Sequence, residues 1–181
     1  EMPFIIYQGA VNEGRSFETL IPAMQYIPAK LVICGKGNFF EQTKQLVGQY
    51  NVQEKVDMKG YVEPAVLQLL TPKAAVAVTL FEQTGLNQYY SLSNRFFDYI
   101  MAGVPQVCVN YPEYKAINDT YEVALMIDDT KTETIAAALS RLLGNKELYE
   151  QLRRNCVIAR EALNWKVEEK KLVAMYEDLI I

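Results

Sequence analysis

The chain has 181 residues, half of them apolar and 22% charged, which suffices for one well-buried domain and is the balance of an ordinary globular protein. A net charge of −4 offers no concentrated basic face to a nucleic acid, and no apolar run approaches the ~20 residues of a membrane span. Histidine is absent, which excludes a Ser-His-Asp or Cys-His arrangement within the chain and removes the commonest nitrogen ligand of zinc.

Glu1-Met2-Pro3 leads directly into "FIIYQG" (Phe4–Gly9), a core strand with no signal peptide ahead of it. "SFETLIPAMQYI" (Ser16–Ile27) follows as a helix that Ser16 is placed to cap. "KLVICG" is a strand and "FFEQTKQLVGQY" a helix. "KVDMKG" and "AAVAVTLF" are further strands, with the helix "PAVLQLL" between them. "PQVCVN" and "VALMI" complete the strands. From Thr132 onward the pattern is helical: "ETIAAALSRLLGN", "KELYEQLRRNCVIAREAL" and "WKVEEKKLVAMYEDLI", with Gly144-Asn145 breaking the first from the second. Cys34, Cys108 and Cys156 are odd in number and widely spaced, the usage of small buried thiols in a reduced, intracellular compartment.

Apolar strands alternating with helices predict an α/β fold, a Rossmann-like doubly wound parallel sheet with a C-terminal helical extension. The expectation is a single domain over 1–181, with a sheet core at about 4–130 and a helical tail at 131–181. Ligands of such sheets sit beyond the carboxyl ends of the strands, where strand order reverses. The turns there read "AVNEGRS", "GKGNFF", "GYVEP" and "EQTGLNQYYSLSNR".

The last turn opens the helix "SLSNRFFDYIMAGVPQV" (Ser91–Val107). At about 100° per residue, Asp98 lies ~40° and Arg95 ~100° around from Asn94, forming a polar stripe. Phe96, Phe97, Ile100 and Met101 share the opposite, apolar face, and Tyr99 lies near the edge. Ser91 and Ser93 are placed to cap the helix. One reading of the stripe is a solvated face with an i,i+3 ion pair. The other takes account of position: a helix start aimed into the crevice suits a phosphate, and Arg95 adds fork-shaped donors. Asp98, about 7 Å further along the axis, then suits the vicinal hydroxyls of a ribose. Arg15 is similarly either an exposed helix-start residue or an anion ligand, and Gly35 and Gly37 either a plain turn or a close approach to a ligand. Tyr89-Tyr90 is either a loop packed on its own domain or a ligand platform.

"NRFFDYIMAGVPQV" resembles the donor-helix segment of the retaining, group 1 glycosyltransferases of GT-B fold. "YQGAVNEGRSFETLIPAM", "LVICGKGNFFEQTKQL", "VDMKGYVEPAVLQLL" and "AAVAVTLFEQTGLNQYYSLSN" are similar to the preceding segments of that family's C-terminal, donor-binding half. The resemblance runs from about Phe4 to Asn118 and implies a function: binding a nucleotide-diphospho-sugar of UDP or GDP type for transfer of a hexose to a glycan or lipid-linked acceptor. It implies Arg15 and Arg95 as the catalytic cations that grip the diphosphate. Gly9, Gly35, Lys36 and Gly37 would lie near the nucleotide, with Tyr61 and Val62 bordering the base. Ser91, Ser93, Asn94 and Arg95 fall at the phosphate end of the donor helix, Asp98 at the place of the ribose-binding glutamate, and Tyr90 among the residues that would bind the nucleotide-sugar. Neither metal nor other cofactor is implied.

Tyr90, eight positions before Asp98, stands where the family often has a first glutamate, and Ala10 where it often has an arginine. The N-terminal acceptor-binding domain is expected to be missing from this chain; "KVEEKK" in the last helix reads as a solvated face, while the analogous helix of GT-B proteins reaches across to that domain. Membrane contact, if any, is expected to be peripheral and made through that domain, at the inner face of a membrane bounding the cytoplasm. The competing readings are a sugar-nucleotide epimerase-like half domain and a non-catalytic nucleotide-binding module.

Overall fold

The computed structural model describes residues 2–179. Its strands are β1 (Phe4–Gln8), β2 (Lys30–Cys34), β3 (Val56–Gly60), β4 (Val76–Thr79), β5 (Gln106–Val109) and β6 (Ala124–Ile127). They form one sheet in the order β3-β2-β1-β4-β5-β6, and every pairing is parallel. Burial follows position: β4 and β5 are buried along their whole length, whereas β3 and β6, at the two edges, are only partly buried. This is the doubly wound arrangement, and its order reverses between β1 and β4.

Helices cover both faces. They are α1 (Phe17–Ala23), α2 (Phe40–Gln49), α3 (Pro64–Leu70), α4 (Leu86–Tyr89), α5 (Asn94–Ala102), α6 (Pro112–Tyr121), α7 (Thr132–Gly144), α8 (Lys146–Ala159) and α9 (Trp165–Leu179). Ile5 and Val76 point into the main core with Phe17, Leu20, Ile21 and Leu139. Ile6 and Ala77, one residue on in each strand, pack with Tyr99 and Val104 on the face that α5 covers. Small residues at Ala74, Ala77 and Ala102 let α5 come close to the sheet. All three cysteines are buried free thiols.

Several details depart from the sequence reading. The first helix stops at Ala23 and passes into a 3-10 turn (Met24–Tyr26), because Pro22 lacks an N–H and crowds the preceding turn. Ser16 does not cap it: the residue is left-handed (φ 58°), and its buried hydroxyl has no partner. On α5, Met101 is 45% exposed while Tyr99 is fully buried, so the apolar face is turned from the one expected and Phe97 is only half-buried. α6 was not anticipated, since of its residues only Tyr114 is buried and its apolar periodicity is correspondingly faint. Asn145 does end α7 and cap α8, its side chain accepting from Leu148 N–H at 3.0 Å.

Candidate functional site

The loops leaving β1 and β2 are joined past the ends of their strands. Gly9 N–H donates to Cys34 O (2.9 Å), Val11 N–H to Lys36 O (3.1 Å) and Phe39 N–H to Val11 O (3.0 Å). Asn12 Oδ1 accepts from Asn38 N–H, and Asn38 Oδ1 from Glu13 N–H. A Cβ on Gly35 would fall 1.8 Å from Gly9 O, and one on Gly37 2.2 Å from Asn12 Oδ1. Both glycines are thus required by the contact between the two loops themselves. Lys36 is exposed, its stem lying over Gly60.

Arg95 is not part of a solvated stripe. It is 8% exposed, with its guanidinium over the Tyr7 ring (4.4 Å) and 5.1 Å from the Phe81 centroid. Arg15, half-buried, lies 4.5 Å from the same Phe81 ring. Aromatic faces accept guanidinium groups, which explains how the long side chains pack inward. They do not neutralise them. Arg95 Nη1 and Arg15 Nε are buried without a hydrogen-bond partner, and neither arginine forms an ion pair among the described residues. Burial, and next the charge of Arg95, pull the Arg15 pKa below the ordinary arginine value. Two cations share one aromatic wall, and among the described residues no carboxylate is ion-paired with either.

The start of α5 adjoins this wall. Ser93 is its N-cap residue, but the hydroxyl makes no capping bond and is buried without a partner. Ser93 N–H instead donates to Tyr114 Oη at 3.0 Å, and Ser91 Oγ donates to Gln88 O at 2.8 Å. Neither serine therefore caps the helix through its side chain, contrary to the reading of the sequence. α6 matters here: Tyr114 stacks on Phe81 and tilts against Phe96, and Tyr111 Oη donates to Phe81 O at 2.6 Å.

Asp98 faces the end of β1. Its Oδ2 accepts from Gln8 Nε2 (2.9 Å), and Gln8 Oε1 accepts from Thr71 Oγ1 (2.7 Å). Gln8 N–H donates to Tyr99 Oη (3.0 Å). Desolvation pushes the Asp98 carboxyl above the usual aspartate value; the Gln8 hydrogen bond and the Arg95 charge pull the other way. A cleft of about 270 Å³ opens here, lined by Gln8, Gly9, Leu67, Ser93, Asn94, Arg95 and Asp98. A second, of about 450 Å³, shares Gln8, Leu67 and Asp98 with it and runs on to Gln68, Thr71 and Met101.

The structure thus brings Gly9, Ser93, Asn94, Arg95 and Asp98 to one cleft at the strand crossover, with Arg15 against the same Phe81 ring as Arg95 but outside the cleft lining. Tyr61 and Tyr90 stand apart from it, 65% and 56% exposed, the first donating to Glu63 and the second edge-on to Tyr89. Val62 lines a separate groove with Val66 and Leu69. Sequence reasoning missed Gln8, Thr71, Tyr7, Phe81 and Tyr114. Gln8 left a signal, being an amide at the end of an otherwise apolar strand.

Residues 1–156 match the sequence model of the family described as glycosyl transferases, group 1. No curated protein matches the chain. Among solved structures, it is similar to sucrose-phosphate synthase from Thermosynechococcus elongatus at 22% identity and a TM-score of 0.86, over 99% of this chain and 46% of that one. It is similar to HepE from Anabaena, solved in complex with UDP and glucose, at 11% identity and 0.82, over 96% and 48%. A third is the catalytic domain of cholesterol-α-glucosyltransferase from Helicobacter pylori, at 16% and 0.74, over 91% and 100%. The chain spans about half the length of the first two. The fold is that of one half of a GT-B glycosyltransferase, and with its family model matched over most of its length the chain belongs to the group 1 glycosyl transferases.

Proposed function

We propose that the chain is the donor-binding half of a hexosyltransferase, taking a nucleotide-diphospho-sugar in the crossover cleft. A glycan or lipid-linked acceptor is held by a further, N-terminal domain. The observation that carries this reading is Arg95: a guanidinium nine-tenths buried, with Nη1 unpaired, beside a second unpaired arginine and a helix start. A diphosphate supplies the anion that this arrangement lacks. The N–H groups of Asn94 and Arg95, first in α5, have no partner within the helix and add to the site. Asp98 takes the ribose hydroxyls. HepE was solved with UDP and glucose, and the pneumococcal O-GlcNAc transferase GtfA with UDP and GlcNAc, which supports a UDP-type donor.

In transfer, the bond between the sugar and the diphosphate breaks and negative charge grows on the departing phosphate. Arg15 and Arg95 are already oriented by Phe81 and Tyr7, so they stabilise that charge without reorganising. Tyr90 offers no carboxylate to the transferred sugar, which favours, as the second reading, a module that binds the nucleotide without completing the reaction.

Calorimetric titration with UDP, GDP and ADP tests the binding. One of them is expected to bind, and Arg95→Met to weaken it by about 10- to 100-fold, the worth of a charge-assisted bond to phosphate. The melting temperature should not fall, because the variant removes an unpaired buried charge and keeps most of its volume. Absence of binding by all three nucleotides would overturn the reading. Labelled nucleotide-sugars given to the full-length protein then separate transfer from binding alone.

A further inference from the structure

We propose that Gln8 is the positioning residue that aims Asp98 at the donor's ribose and so sets the preference for ribose over deoxyribose; this rests on the donor-binding reading. An aspartate has a short reach, and its carboxylate must be held if it is to meet a diol. Gln8 holds it. Thr71 has a single hydroxyl proton, and the structure gives it to Gln8 Oε1 at 2.7 Å. With its oxygen engaged, the amide turns its NH₂ toward Asp98 Oδ2 at 2.9 Å. Gln8 and Thr71 are 7% and 3% exposed, so this orientation is enforced away from competing water.

The main chain of the same residue is fixed as well. Gln8 N–H donates to the hydroxyl of Tyr99, the fully buried neighbour of Asp98 on α5. The end of β1 is therefore tied to α5 at two adjacent residues, Asp98 and Tyr99. Oδ2 is occupied, and Oδ1 is left for a ligand at the junction of the two cavities that share Gln8, Leu67 and Asp98. Because the Gln8 hydrogen bond already orients the Asp98 carboxylate, less side-chain entropy is lost when a diol binds. A 2′-deoxy ligand forfeits one charge-assisted hydrogen bond, a difference of about tenfold.

The test uses the full chain and three kinds of probe: UDP, GDP and ADP, their 2′-deoxy counterparts, and inorganic pyrophosphate. The wild type is expected to prefer ribose to 2′-deoxyribose by about tenfold. Gln8→Leu and Thr71→Val should each reduce that preference to within about twofold while leaving pyrophosphate affinity unchanged, a split that general loss of structure would not produce. Thr71→Ser keeps the hydroxyl and should restore the preference. If Gln8→Leu fails to fold, the double variant Gln8→Leu/Thr71→Val removes both buried partners together and carries the same readout. Retention of the ribose preference in these variants overturns the assignment, and so does a wild type that binds the nucleotides without it, with donor binding left standing. A wild type that binds no nucleoside diphosphate overturns both.

Discussion

At the scale of single residues, the site is a set of polar groups whose needs the fold leaves unmet. Arg95, Arg15 and Ser93 each keep a buried donor without a partner, whereas the polar atoms of Gln8 and Thr71 are paired. Asp98 links the two sets, and its titration separates folding from binding. Its carboxyl is raised above the usual aspartate value, so the fold favours the neutral form: the stability that form confers is complete below that value and lost as pH rises through the raised one. Diol binding needs the charged form and runs the opposite way. Nucleotide affinity should therefore decline as pH is lowered from neutrality toward about 4, starting above the ordinary aspartate range. Asp98→Asn should bind more weakly and lack this component, and the difference between the two calorimetric pH profiles isolates the carboxyl from the phosphate's own titration. These residues were unequally legible in the sequence. Asp98 and Arg95 could be placed on one polar stripe by helical spacing alone, but spacing left open whether Arg95 met solvent or a phosphate. Only the Tyr7 and Phe81 rings, brought together from distant strands, show why it turns inward.

At the scale of elements, α5 is held by its ends as much as by its apolar face. Phe96, Tyr99 and Ile100 are fully buried, and Gly103 closes the helix in the left-handed region (φ 70°), its N–H donating to Ile100 O. A Cβ at Gly103 would meet only Val157 at 3.9 Å, so the cost of Gly103→Ala is one of backbone strain, about 1–2 kcal/mol, read as a shift in the denaturation midpoint. Donor affinity measured on the folded variant should be unchanged, because the start of the helix is fixed separately by Tyr114. The strands were legible because short apolar runs in a parallel sheet are buried on both faces. Helix starts were not: Ser16, Ser91 and Ser93 all have the chemistry of a cap, yet none provides one, since local residue type does not reveal which hydroxyls packing will turn away. α6 escaped notice for a related reason. It contributes one fully buried tyrosine, and that tyrosine anchors the site.

At the scale of the whole molecule, the sheet order could be anticipated as a class, and the crossover site with it, because ligand position in such sheets follows from topology. The partners of the outer surfaces could not. α9 has no buried residue, yet Trp165, Leu172, Tyr176 and Leu179 recur at helical spacing and are all at least 41% exposed. Among the described residues, no helix is long and apolar enough to cross a membrane. The core does not depend on α9, so a chain ending at Asn164 should melt within about 2 °C of the parent by calorimetry. A larger loss would mean that the helix supports the sheet.

Trp165 is the protein's single tryptophan, and it sits two-thirds exposed at the start of that bare helix. Intrinsic indole emission should consequently shift little on melting of the sheet, since most of the residue is already exposed in the folded chain. What it does register is shelter: a blue shift on adding a candidate neighbouring domain would report contact at this stripe alone, free of background from the nucleotide cleft.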